Sequence, residues 1–226
     1  MSDFPYSNLD AKSIGSSLPP TENKSKSLSR SQRRRREDIV QASLKIFDRD
    51  GFESAKMSDI ADEAEVAKGT LYLYFDSKLA LLEGVIDDAI LPTLRRVDAE
   101  AKNEAGSASD RLAGQLKIVA KRMASTEMKI LLRTMISGGA KHQRIIDYYH
   151  KNVLQNGVTL IKETLKFGVE RGEFSESCLD IDPVILVGAN VYTSVWKILF
   201  EDLSPLENEK LVQDMINVFL KGLVKR

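Results

Sequence analysis

The sequence predicts an all-α protein, and three observations carry that expectation. Apolar residues recur at three- and four-residue spacings along nearly all of the chain beyond residue 36. No run of useful length alternates apolar and polar residues as a half-buried strand does. Gly51, Gly138-Gly139, Gly172 and Pro183 stand at the ends of the periodic stretches, where helices stop or start.

The elements follow in order. Residues 1–30 carry Ser, Pro, Asn and Lys with few large apolar side chains. So little apolar surface cannot offset the entropy of ordering, and a disordered basic arm is expected there. It leads into the densest positive cluster of the chain, Lys24, Lys26, Arg30 and Arg33–Arg36, with no acid between Glu22 and Glu37. The first helix is expected over Glu37–Asp50, with Ile39, Val40, Leu44 and Phe47 inward and Gly51 ending it. A short helix follows at about Met57–Glu65, with Ile60, Ala61 and Ala64 inward, and a second at about Lys68–Phe75. Asp76 or Ser77 caps a longer helix that buries Leu79, Leu82, Ile86 and Ile90. Pro92 lies within that pattern and either kinks or splits it. After a break at Asn103–Ser109, helices are expected over Asp110–Thr126, Met128–Ser137, Gln143–Arg171, Pro183–Phe200 and Pro205–Val224. The domains are then 1–30 (arm), 31–80 (three-helix domain) and 81–226 (larger helical domain).

Composition bounds the function. With 226 residues, 42% of them hydrophobic, the chain can build one large core or two small ones. Lys+Arg and Asp+Glu are both 33, so any nucleic-acid binding must come from where charge sits. From Arg30 to Lys78, acids match basic residues in number, but the basic ones lie at the arm and around the second short helix. The single cysteine, Cys178, rules out an internal disulfide and suits the cytosol. No signal peptide is expected, and Val184–Phe200, with Asn190, Thr193, Ser194 and Lys197, is too short and polar to span a membrane. A cytoplasmic protein without a membrane partner is expected.

Two short helices joined by a few residues, on a three-helix base, are the layout of a helix-turn-helix. Within it, the run KGTLYLYFDSK (Lys68–Lys78) has a coherent chemistry. Gly69 and Thr70 at the front of a helix let the backbone approach DNA closely, with free amides toward phosphate. Tyr72 and Tyr74 can pack on sugars or donate to phosphate oxygens, and Lys68 and Lys78 bracket the helix with positive charge. Leu71 and Phe75, four apart, face inward.

The stretch Ile39–Leu82 resembles the DNA-binding domain of the TetR family. The resemblance rests on Ile39, Ala42, Phe47, Gly51-Phe52, Asp59-Ile60-Ala61, Ala64, Val66, Lys68-Gly69-Thr70-Leu71-Tyr72, Tyr74-Phe75, Ser77-Lys78 and Leu81-Leu82. It implies an N-terminal DNA-binding domain plus a C-terminal ligand-binding and dimerisation domain. It implies DNA contact by Lys68, Gly69, Thr70, Tyr72, Tyr74 and Lys78. Three positions depart from the family pattern. Lys56 replaces a usual Thr, keeping a phosphate contact but losing a cap. Glu65 stands where Gly is usual, and Ala67 where Ser often caps the next helix. Arg33 and Arg34, with Arg35 and Arg36, either contact DNA as an arm or are simply solvated.

The C-terminal half resembles TetR-type effector domains more loosely, over Tyr148–Phe174. That likeness implies an apolar effector pocket and a homodimer formed by the last two helices. Met123, Met135, Tyr148, Tyr149, Tyr192 and Trp196 are candidate pocket residues, with plain core packing as the alternative for each. Val184, Gly188, Val191, Val195, Leu211, Met215, Val218, Phe219 and Gly222 are candidate interface residues, or again core.

The expected function is a ligand-responsive repressor that binds double-stranded operator DNA, itself, and an unidentified small-molecule effector. The rivals are an architectural DNA-binding protein or an activator without effector, and a helical module that no longer reads DNA. No enzyme is expected: dinucleotide, phosphate-loop and zinc-protease motifs are missing, and one Cys with two His leaves little for a nucleophilic triad. No cofactor is expected, and His142 and His150, without neighbouring ligands, do not suggest a metal site.

Overall fold

A computed structural model describes residues 28–103 and 106–224. Of the disordered arm expected over residues 1–30, residues 1–27 lie outside those described, and Ser29 and Arg30 cap and begin a helix. Among the described residues there is no strand, only an isolated antiparallel bridge between Phe174 and Val224. The α-helices are α1 (Arg30–Ser54), α2 (Met57–Glu63), α3 (Lys68–Tyr74), α4 (Lys78–Ala101) and α5 (Ala108–Met123). They continue with α6 (Thr126–Ser137), α7 (Gln143–Tyr149), α8 (Gln155–Glu170), α9 (Val184–Leu199) and α10 (Asn208–Leu223). None of the described helices is long and apolar enough to cross a membrane.

The described chain divides into two compact units, one of residues 28–91 with 126–152, the other of residues 92–125 with 153–224. The helix-turn-helix therefore packs in one unit with α6 and α7, well past the expected boundary at residue 80.

In the first unit, α1 starts seven residues before the expected Glu37. Ser29 Oγ accepts from the Gln32 amide and Gln32 Oε1 accepts from the Ser29 amide, a capping box that satisfies two free donors. Arg33 and Arg34 thus ride on the first turns of a helix instead of on a loose arm. Gly51 breaks the regular path with φ 76° and ψ 159°, as expected, but one more turn follows to Ser54. The carbonyls of that turn need donors. Lys78 supplies them: its Nζ donates to the oxygens of Phe52 (2.5 Å), Glu53 (2.8 Å) and Ala55 (3.0 Å). Ser77 Oγ caps α4 by accepting from the Ala80 amide at 3.1 Å, one of the two caps expected.

The seat of α3 is built from α1 and α4. Leu71 is fully buried and Phe75 nearly so. The Phe75 ring lies so close to α4 that a Cβ on Gly84 would stand 2.5 Å from its Cε1. Arg36 covers the ring at 5.3 Å and is held by Asp88, whose two oxygens accept from Nη1 at 2.5 and 2.7 Å. The turn before α3 passes through Glu65 at φ 53°, a left-handed conformation that glycine adopts without strain. On the other side of α4, Arg144 binds Glu83 and the Tyr148 hydroxyl donates to Asp87 at 2.6 Å, fixing α7.

In the second unit, Leu112, Leu116, Ile161, Leu165, Phe174, Cys178, Leu186 and Ile216 form the core. The helix expected as one piece over Gln143–Arg171 is interrupted by a π-helical turn at His150–Leu154. An inserted residue shifts the hydrogen-bond ladder without spoiling the apolar spacing on either side, so periodicity did not reveal it. Pro92, by contrast, is carried inside one helix, α4.

Two substitutions test this packing. Glu65→Gly relieves a left-handed residue at some cost in chain entropy, a net gain of roughly 0.5–1 kcal/mol. In thermal unfolding it should raise the midpoint by about 2 °C or more, and no rise would contradict the strain. Gly84→Ala drives a methyl into the Phe75 ring and should lower stability in chemical denaturation by about 1–3 kcal/mol. An unchanged midpoint would show that the ring is not seated against α4.

Candidate nucleic-acid interface

The helix-turn-helix has a buried side and a bare side. α2 turns Ile60 and Ala61 inward, and the Val66 amide donates to the Ala61 carbonyl at 2.9 Å to set the turn. Ala67, at the start of α3, supplies no side-chain cap, and neither does Lys56 at the start of α2, as their residue types required.

With Leu71 and Phe75 buried, the opposite face of α3 is left free. Lys68 and Gly69 are exposed, Thr70 and Tyr74 half-buried, and Tyr72 is 44% exposed. A Cβ on Gly69 would meet nothing within 4 Å, so this face is open to a close approach. Leu73, outside the expected contact set, is 79% exposed at the centre of the bare face. An exposed leucine between two tyrosines was the available signal.

Charge on the domain is sorted by pairing. Lys45 pairs with Glu63, Arg49 with Asp50 and Arg133 with Asp48. Arg33, Arg34, Lys56 and Lys68 are exposed and have no ion pair among the described residues. Unpaired basic residues thus lie on α1's first turns and at the starts of α2 and α3, while Glu37, Asp38, Glu65 and Asp76 are exposed acids that also lack an ion pair among the described residues. Two basic residues of the expected set are corrected. Lys78 spends its three donors on carbonyls and lies against the Phe52 ring at 4.7 Å, where burial lowers its pKa. Arg36, from the basic cluster, is spent on Asp88 and Phe75. Both are spent on contacts within the domain itself.

The expected pocket residues fall in different units. Met135, Tyr148 and Tyr149 belong to the first, and Met123, Tyr192 and Trp196 to the second. Met123 and Met135 are buried. Burial pushes the Tyr149 phenol up to about 12. Burial also raises Asp87, the acceptor of the Tyr148 hydroxyl. Trp196 Nε1 donates to the Ser204 carbonyl at 2.7 Å. Tyr192 is 56% exposed and so does not line an interior pocket; its helix turns that side outward.

The expected interface residues lie on the second unit's surface. Val184, Val191, Leu211, Val218 and Gly222 are exposed; Gly188, Val195, Met215 and Phe219 are half-buried. Ile185, Leu199 and Leu203 extend the exposed apolar surface. The inward side of α9 is mixed: Leu186 joins the core, and Asn190, Thr193 and Ser194 are buried with it, Ser194 Oγ donating to the Met123 carbonyl at 2.5 Å. No group of three or more His, Cys, Asp and Glu side chains among the described residues is placed to hold a metal ion.

Known proteins share these features. Residues 39–85 match the family of bacterial regulatory proteins called tetR. The chain is 27% identical over 146 residues to an uncharacterized HTH-type transcriptional regulator, YfiR of Bacillus subtilis (strain 168), covering 62% of this chain and 68% of that protein. It is 38% identical over 78 residues to the HTH-type transcriptional repressor KstR of Rhodococcus jostii (strain RHA1). That match covers 34% of this chain and only 35% of KstR. The crystal structure of the transcriptional regulator FadR from Bacillus subtilis in complex with stearoyl-CoA superimposes with a TM-score of 0.66. It covers 82% of this chain and 98% of FadR at 20% identity, a likeness of fold. From residue 39 to 85, then, the helix-turn-helix matches that of the tetR family of bacterial regulatory proteins.

Proposed function

We propose that the chain is a ligand-responsive repressor that binds operator DNA as a homodimer in the cytoplasm. The observation that carries the reading is the division of α3, with Leu71 and Phe75 buried and Gly69, Tyr72 and Leu73 bare. A helix held from behind and open in front fits a B-form major groove. The amphipathic Tyr72, the hydroxyl of Thr70, and Tyr74 contact sugar and phosphate there, and Lys56, Lys68, Arg33 and Arg34 neutralise phosphates.

The apolar outer faces of α9 and α10 support the dimer. A soluble chain rarely leaves a contiguous apolar surface bare, and a helix with valines outside and Asn190, Thr193 and Ser194 inside is built for cover on both sides. A second copy supplies that cover and brings a second α3, so the operator is an approximate inverted repeat. The effector acts by favouring one of two states of the dimer over the other. Met135, Tyr148 and Tyr149 of the first unit, or Met123 and Trp196 of the second, are the candidates for contact with it. α4 starts directly after α3 and carries Pro92, which makes it the candidate for transmitting the change. The reading assigns no catalytic role.

DNA selected from a random pool by the full-length protein should converge on an inverted repeat with half-site centres about 10 bp apart, or a multiple of that. No enrichment would refute the reading. On that duplex, Tyr72→Ala should weaken binding on the order of tenfold or more while leaving thermal stability unchanged. Equal affinity would remove Tyr72 from the interface. Val218→Asp puts a charge on the proposed dimer surface and should turn a sedimenting dimer into a monomer at micromolar concentration; a persistent dimer would place the interface elsewhere.

A further inference from the structure

We infer that Leu73 reads a thymine 5-methyl group in each half of the operator, making it a specificity-determining residue of the DNA-reading surface. The inference rests on the DNA-binding role proposed above and names what the helix recognises.

At about 100° per residue, Leu73 lies roughly 200° around α3 from Leu71 and 160° from Phe75. It therefore stands at the centre of the face that those two anchors turn outward. Gly69, one turn earlier on the same face, has no side chain to shade it, and a Cβ there would meet nothing within 4 Å. Tyr72 and Tyr74 flank it, and Lys68 starts the same helix. The result is an apolar tip 79% exposed, framed by groups that suit the sugar–phosphate walls of a groove.

That placement leaves apolar surface in water, and covering it in a complex would contribute binding free energy. Among the described residues no side chain covers it. Of the groups on the floor of the major groove, only the thymine 5-methyl is apolar; guanine, adenine and cytosine present hydrogen-bonding edges that leucine cannot meet. A leucine at the deepest point of a reading helix thus favours a T·A pair through methyl burial. It disfavours C·G at the same position, where the cytosine amino donor would lose its water.

The full-length protein is used to select a duplex from a random pool, and the selected thymines are replaced one symmetric pair at a time by deoxyuridine, which removes only the methyl. Wild-type protein should lose about threefold to fivefold in affinity per methyl, on the order of tenfold for one symmetric pair. Leu73→Ala should bind the thymine duplex more weakly and show no sensitivity to deoxyuridine at that pair, with unchanged thermal stability. If wild type shows no deoxyuridine-sensitive pair, or Leu73→Ala keeps the same sensitivity, the inference is wrong while DNA binding stands. If no duplex is selected at all, the DNA-binding reading falls and this inference falls with it.

Discussion

The structure depends on the seating of Phe75. Its ring fits against α4 only because residue 84 is glycine, and Arg36 closes over it with its charge satisfied by Asp88. Helix α1, at Arg36, and helix α4, at Gly84 and Asp88, therefore meet at one ring at the end of α3. A seven-residue helix has little stability of its own. Its orientation is set by Leu71 and Phe75, and everything offered to DNA lies on the side those two residues do not use. The same knot ties α3 to α4, so a shift in α4 cannot leave the reading helix where it was.

The charge pattern follows from the same economy of contacts. Basic residues that are buried or paired, such as Arg36, Lys78 and Lys45, hold the domain's own backbone and carboxylates. Arg33, Arg34 and Arg35 on α1's first turns, Lys56 before α2 and Lys68 at the start of α3 are exposed and have no ion pair among the described residues. A chain with no net charge can still carry basic residues free of carboxylate partners, and the proposed DNA binding predicts an affinity that falls as salt rises.

Much of this was legible in the sequence, for stated physical reasons. The four-residue spacing of Leu71 and Phe75 gave the buried side of α3, and the non-glycine at 65 marked a left-handed strain that is present. Other features depend on partners distant in the chain and left no local sign. Lys78 looked like a phosphate contact, yet it meets carbonyls of residues 52, 53 and 55. Arg36 looked like part of an arm, yet its carboxylate is Asp88. The early start of α1 was legible in Ser29 and Gln32, a capping box hidden inside a segment that composition marked as unstructured. Tyr192 was misplaced because α9 is apolar nearly all round, so composition could not say which side faces in. The buried side turned out to be the one with Asn190, Thr193 and Ser194.

The central claim is that α3 enters a major groove. Methylation interference on a selected duplex tests it most directly, because a methyl at guanine N7 obstructs the major groove and one at adenine N3 the minor groove. The account predicts that N7 methylation blocks binding at two clusters centred about one helical turn apart, or a multiple of it. Interference confined to adenine N3, or none at either position, would contradict it.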